Sequence, residues 1–132
     1  MKPNFSGDYV LDRPSSVLTA GAAAIVSAVL RIEHDDPGFR CSAKFTSAID
    51  AVEFTFERFT DGRESPVSAH ERSRCYWHHD ALIYEDRMGR GDAAMVMTWR
   101  YELLNDERRL RATERIRGSG RDQDNVWEFE RR

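Results

Sequence analysis

The chain has 132 residues, which is enough for one domain with its own core and excludes two independent ones. It carries 20 basic and 23 acidic residues, so its net charge is only −3 and it lacks the cationic field that holds nucleic acid or anionic lipid. A charged fraction of 33% beside 40% hydrophobic residues excludes disorder. We therefore expect one domain over residues 1–132, with neither nucleic acid nor a membrane as partner.

Alternation of apolar and polar residues dominates the chain, and turn residues interrupt it at short intervals, as in antiparallel sandwiches and barrels. The first strand is predicted at residues 4–12. Ser15 and Ser16 then begin a short helix of about two turns over residues 17–23, with a serine as its N-cap. Eight further strands are predicted at 25–34, 39–46, 51–59, 67–77, 81–88, 93–104, 110–117 and 125–130. The glycine-bearing segment 117–125 is predicted to contribute a long exposed loop.

Nine short antiparallel strands must hide their edges, and closing the sheet into a barrel does so most economically. Because the links are short, neighbouring strands should be connected in an up-and-down order, with a sandwich as the rival architecture. The predicted fold class is therefore all-β, a single antiparallel up-and-down barrel of about nine strands with one short helix after the first strand.

The inner faces of three predicted strands are bulky, aromatic and rich in sulfur, because such side chains alternate there with polar ones. These inner faces comprise Val52, Phe54 and Phe56; Met95, Met97, Trp99, Tyr101 and Leu103; and Trp127 and Phe129.

Five segments of the chain resemble, in their order and spacing, the small bacterial lipocalin-like domain proteins, whose chains open with an Asn-Phe-Ser-Gly-x-Trp strand. The segments are "NFSGDYVLD", "IEHDDPGF", "WHHDAL", "TWRYELLNDERRLRATERIRG" and "DNVWEFER". The resemblance covers nearly the whole chain and implies a calycin-type barrel for a small apolar molecule. Gly7 matches the motif glycine, whereas Tyr9 stands in place of the family's Trp. In related barrels that aromatic closes one end beneath a basic side chain, a role the resemblance assigns to Arg131 or Arg115.

Together these features predict a lipocalin-like protein that binds a small apolar or amphipathic molecule in its lumen, since Met and aromatic side chains adapt to irregular ligands. The predicted ligand-binding residues are Phe54, Phe56, Tyr84, Met95, Met97, Trp99, Tyr101 and Trp127. If Tyr9 seals one end of the barrel, the ligand enters at the other, where the short helix and the loop in segment 117–125 could cover it.

Three acids, Glu71, Asp86 and Glu114, interrupt predicted inner faces. They could emerge into solvent at strand ends or pair with arginines, namely Arg72, Arg100 or Arg115. They could instead anchor a ligand's polar group. In a small barrel enzyme, they could move protons in an isomerisation, elimination or cyclisation. The hydrogen-bond partners in that enzyme would be Tyr84, Tyr101 or His70. The sequence leaves open whether the protein is an enzyme.

No other motif indicates chemistry. The four histidines, His34, His70, His78 and His79, have no recognised metal-ligand spacing, and neither a nucleophile elbow nor a phosphate-binding loop occurs, so we predict no metal and no cofactor. A third hypothesis is a filled barrel that acts through its surface or as a homodimer.

Two further features bear on localisation. Cys41 and Cys75 are too few for a disulfide framework, so we expect reduced thiols, with one long-range disulfide as the alternative. The uncharged stretch 17–30 follows acidic residues rather than a basic start and is too short to span a bilayer. Both features predict a cytoplasmic protein.

Overall fold

A computed structural model describes residues 2–132, which form ten antiparallel strands and two short 3-10 helices. The strands are β1 (Gly7–Leu11), β2 (Ile25–Asp35), β3 (Gly38–Ser47), β4 (Ala51–Phe59), β5 (Ser65–Ser68), β6 (Glu71–His78), β7 (Ala81–Met88), β8 (Met95–Leu104), β9 (Arg109–Arg117) and β10 (Gln123–Arg131). The 3-10 helices are Ala20–Ala24 and Gly91–Ala93. Among the described residues, no helix has the length and apolar character needed to cross a membrane.

The strands form one curled sheet in the order β4-β3-β2-β1-β10-β9-β8-β7-β6-β5. Pairing of β1 with β10 joins the two ends of the chain, and the other pairs are successive strands, as the predicted up-and-down order requires. β4 and β5, the strands at the two ends of this order, do not pair within residues 2–132. The sheet therefore has a gap between them, and the predicted closure of the barrel by main-chain pairing is wrong there. The edge strand β5 is short and contains Pro66, which has no N–H to donate.

Side chains span the gap where the backbone does not. Arg58, near the end of β4, donates from Nε to Ser73 Oγ at 2.8 Å and from Nη2 to the Tyr84 hydroxyl at 3.0 Å. Ser73 and Tyr84 belong to β6 and β7, so one guanidinium ties the β4 edge to the other side of the curl. Beyond β4, the Gly62 N–H donates to the Cys75 carbonyl at 2.9 Å.

The strand count is ten rather than nine because the predicted strand 67–77 is in fact a hairpin. Its turn lies at residues 69–70, and Ser68 of β5 faces Glu71 of β6. This turn contains neither Gly nor Pro, so the alternation of polar and apolar residues runs through it without a break.

The segment after β1 also differs from the predicted two-turn helix over residues 17–23. Val17 forms a two-way backbone bridge with Val126, and only Ala20–Ala24 are helical, as a 3-10 turn. The Ser16 hydroxyl does not cap a helix. It donates to the Asp12 carbonyl at 2.9 Å and accepts from the Glu128 N–H at 2.9 Å, which holds this segment against β10.

One end of the curl is closed around Tyr9, whose side chain is fully buried and whose hydroxyl donates to the Phe5 carbonyl at 2.6 Å. Arg131 lies over the ring, with Cζ 5.6 Å from its centroid, so the predicted cation–aromatic contact is confirmed and is made by Arg131. Arg115 instead faces Asp124. Gly7 has φ +147°, and a Cβ there would lie 3.0 Å from Arg131 Nε, which explains the motif glycine.

Candidate functional site

A cavity of about 510 Å³ lies inside the curl, beyond the core that surrounds Tyr9. Its wall is mostly apolar and comes from strands β2–β4 and β7–β10, with Gly21 and Ala22 of the first 3-10 helix at one side. Small-molecule sites in proteins have this size and this apolar character.

Seven of the eight predicted ligand-binding residues line this cavity: Phe54, Phe56, Tyr84, Met97, Trp99, Tyr101 and Trp127. The eighth, Met95, is half-buried at the start of β8 and lies outside the lining. It sits against Gly118, where a Cβ would come within 3.2 Å of the Met95 Cα and 2.4 Å of the Ala94 carbonyl oxygen. Met95 is therefore a residue of the rim.

The aromatic side chains form a nearly continuous wall. Trp99 stacks on Tyr101 with ring centroids 6.1 Å apart and lies 6.2 Å from Trp127. Phe45 packs edge-on against Trp127 at 5.2 Å, and it was not among the predicted site residues. The alternation of Phe39, Cys41, Ala43 and Phe45 along β3 is the sequence signal that identifies this inner face.

Asp86 is the most unusual polar group in the wall. Its side chain is buried, with 5% of the residue exposed, and its Oδ1 has no hydrogen-bond partner among residues 2–132. Burial raises the pKa of Asp86 to about 7, and the neighbouring Glu71 adds to the rise through a hydrogen bond and through its charge. The charge of Arg58 has a smaller effect that lowers this pKa. At neutral pH this carboxyl group is therefore divided between its acid and its carboxylate form.

We expect Asp86 to make the stability of the protein depend on pH. The folded state keeps a proton on Asp86 that the unfolded state loses, so wild-type stability should fall as pH rises from about 4 to about 7. Asp86→Asn removes this titration. Between pH 5 and pH 8, wild type should therefore lose on the order of 1–2 kcal/mol more of its free energy of unfolding than the variant does. Urea unfolding at both pH values measures this difference, and an equal change in the two proteins would contradict the assignment.

Glu114, the second acid of the wall, is held by neutral donors. Its Oε1 accepts from Asn125 Nδ2 at 2.9 Å and from Trp127 Nε1 at 3.2 Å. Burial raises the pKa of Glu114, although these two hydrogen bonds oppose the rise. Asn125 Oδ1 in turn accepts from the Thr19 backbone N–H at 2.6 Å, so this network also fixes the segment before the 3-10 helix.

The interpretation that the acids pair with the predicted arginines is wrong. Arg72, Arg100 and Arg115 lie nearest Glu64, Glu102 and Asp124, respectively, among the salt bridges of residues 2–132. The base that influences Asp86 is Arg58, which lies across the gap. It belongs to a strand on which only apolar residues were singled out.

The remaining candidates for acid–base chemistry are only partly brought together. Glu71 is half-buried at the start of β6 beside Asp86 and is not part of the cavity lining. His70 is exposed in the β5–β6 turn, where its Nδ1 accepts from Arg90 Nε at 3.0 Å, so it is not a partner of the cavity acids. Tyr84 and Tyr101 do line the cavity.

Comparison with known proteins places the fold. No protein-family model and no curated protein matches the chain. Among solved structures, a REP1-NXSQ fatty acid transporter is 14% identical, covering 97% of this chain and 96% of that one, with a TM-score of 0.58. Fatty-acid-binding protein 1 of Echinococcus granulosus is 13% identical over 96% of both chains, with a TM-score of 0.61.

A third similar structure is secretory abundant heat soluble protein 4 of Ramazzottius varieornatus, 10% identical, covering all of this chain and 98% of that one, with a TM-score of 0.62. At identities this low, similarity over nearly the whole length shows a shared fold and nothing about function. The chain therefore has the antiparallel β-barrel fold of these structures, with a gap between β4 and β5.

Proposed function

We propose that the protein binds one small apolar or amphipathic molecule in the cavity. The observation that carries this proposal is the 510 Å³ space inside the curl, whose wall is mostly aromatic and aliphatic. Apolar side chains around a void lose dispersion contacts that a ligand of matching shape would supply. A filled barrel has no need of such a space, so the cavity counts against the third hypothesis.

Two of the similar structures support the proposal, because their names describe a fatty acid transporter and a fatty-acid-binding protein. The five quoted segments support membership of the small bacterial lipocalin-like domain proteins. The free, buried thiols of Cys41 and Cys75 fit a reducing compartment such as the cytoplasm.

A second candidate function is acid–base catalysis in the same cavity, with Asp86, Glu71 or Glu114 moving a proton. One observation favours it: a carboxyl group with a pKa of about 7 shares the cavity with Tyr84 and Tyr101. Turnover of a bound molecule that is lost in Asp86→Asn would establish this function over binding alone.

Binding itself is tested by thermal unfolding with decanol. Decanol is a neutral amphipath, so its affinity does not depend on an ion pair with the acids of the wall. Ligand that binds only the folded state should stabilise it by about 2.7 kcal/mol at a concentration one hundred times its Kd. Native mass spectrometry of gently purified protein should show one added molecule. If decanol neither shifts the melting temperature nor adds to the mass, the protein is not a binder of this class.

A further inference from the structure

The charge of the cavity wall indicates what kind of polar group a ligand brings. Within the described chain, the lining residues include Asp86 and Glu114 but neither Lys nor Arg. The other ionisable groups of the wall are the hydroxyls of Tyr84 and Tyr101 and the thiol of Cys41. Burial raises the pKa of each of these three groups, so they are neutral at physiological pH. Any net charge on the wall is therefore negative.

One carboxyl oxygen of Asp86 has no hydrogen-bond donor among the described residues. This oxygen, Oδ1, is buried, and Asp86, which is only 5% exposed, is one of the residues that line the cavity. A buried carboxylate oxygen without a donor destabilises the folded protein, and a donor on the ligand would remove that cost. The hydrogen bond between the carboxyl groups of Asp86 and Glu71 leaves this oxygen unpaired.

The surroundings of Asp86 suit an ammonium group. On β7, Tyr84 lies two residues away on the same inner face, and Trp99 of β8 is the cross-strand partner of Tyr84. Arg58 already lies over the Tyr84 ring, with Cζ 5.4 Å from its centroid, so the aromatic contribution to binding a cation at Asp86 would come from Trp99. Glu114 is the cross-strand partner of Trp99 on the next strand, so a second acidic residue of the cavity wall lies one strand further along the sheet.

Arg58 is the base whose charge acts on Asp86, and its guanidinium is already hydrogen-bonded. Its guanidinium donates to Ser73 Oγ, to the Tyr84 hydroxyl and, at 2.6 Å, to the Glu57 carbonyl, and the residue is outside the cavity lining. A ligand carboxylate could reach it only by displacing bonds that tie β4 to β6 and β7. It would also have to approach Asp86 and Glu71, which repel it.

We propose that the cavity selects amphipaths whose polar group is an amine, bound as an ammonium ion against Asp86, and disfavours the corresponding carboxylates. This inference rests on the proposed binding function and names its ligand class. It sets the chain apart from the fatty-acid-binding proteins whose fold it shares, since their name specifies an acidic ligand.

The test is a titration at pH 8 with decylamine, decanol and decanoate, which share one alkyl chain and differ in the charge of the polar group. Calorimetry should give decylamine a Kd at least tenfold lower than that of decanol, and decanoate a Kd higher than that of decanol. If decanoate binds as tightly as decylamine or more tightly, the inference is wrong while the binding function stands. If none of the three binds, the binding function itself fails.

Two variants test whether Asp86 is responsible for the preference for amines. Asp86→Asn should reduce the decylamine-to-decanol affinity ratio about tenfold, whereas Asp8→Asn, at an exposed acid of β1, should leave that ratio as in wild type. An unchanged ratio in Asp86→Asn overturns the role of Asp86. Preferential binding of decanoate that is lost in Arg58→Gln would identify the guanidinium in the gap as an anion site and would also overturn the proposal.

Discussion

Replacing Tyr9 with Ala should lower the free energy of unfolding by about 3–5 kcal/mol, the range found for large aromatic side chains removed from a core. Tyr9 is fully buried, its hydroxyl bonds to the Phe5 carbonyl, and Arg131 covers its ring, so the truncation removes packing and two polar contacts together. The loss is a large share of the 5–15 kcal/mol that stabilises a typical domain. Urea unfolding followed by circular dichroism measures it.

Tyr9→Phe is the matched control, because it keeps the ring under Arg131 and removes only the hydroxyl. It should cost about 1 kcal/mol, the net value of one hydrogen bond. If Tyr9→Ala costs no more than Tyr9→Phe, Tyr9 does not close this end of the barrel.

Replacing Ala112 with Trp should lower the affinity for decanol at least tenfold. Ala112 is 1% exposed, lines the cavity and lies between its cross-strand partners Tyr101 and Trp127, so an indole there would project into the space proposed for the ligand. The added bulk should also destabilise the fold by about 1–3 kcal/mol, which the protein must tolerate for the measurement to be made.

Thr113→Trp is the control for this filling of the cavity by an indole. Thr113 is the next residue of β9 and points to the opposite face of the sheet, where the same indole leaves the cavity untouched. Its affinity for decanol should match that of wild type. Equal affinity in Ala112→Trp and Thr113→Trp would mean that decanol binds elsewhere.

Much of the cavity could be predicted from the sequence because inner faces follow from alternation alone. Met97, Trp99 and Tyr101 occupy every second position of β8, and all three line the cavity. Met95 continues the same pattern but lies at the rim, since alternation specifies the face of a strand and not the depth along it. The contact between Tyr9 and Arg131 was predicted from the family resemblance rather than from periodicity.

The polar part of the site could not be predicted in this way, because its contacts join residues that are distant in sequence. Arg58 reaches Tyr84 across the one place where strands do not pair, and no local pattern reveals that gap. Asn125 reads as an ordinary strand end, yet its amide links Glu114 to the backbone of Thr19. The β5–β6 turn was missed for a different reason, since it lacks the usual turn residues.

The most direct test of an internal ligand site is an NMR titration with decanol in protein carrying methionine methyl groups labelled with ¹³C and backbone and indole nitrogens labelled with ¹⁵N. Met97, Trp99 and Trp127 line the cavity, whereas Trp77 bonds to Asp36 at 3.2 Å on the other side of the core. We expect saturable one-to-one shifts of the Met97 methyl and of the Trp99 and Trp127 indole signals, with Trp77 little changed. Shifts that do not saturate, or that spare Met97 and Trp127, would contradict ligand binding inside the barrel.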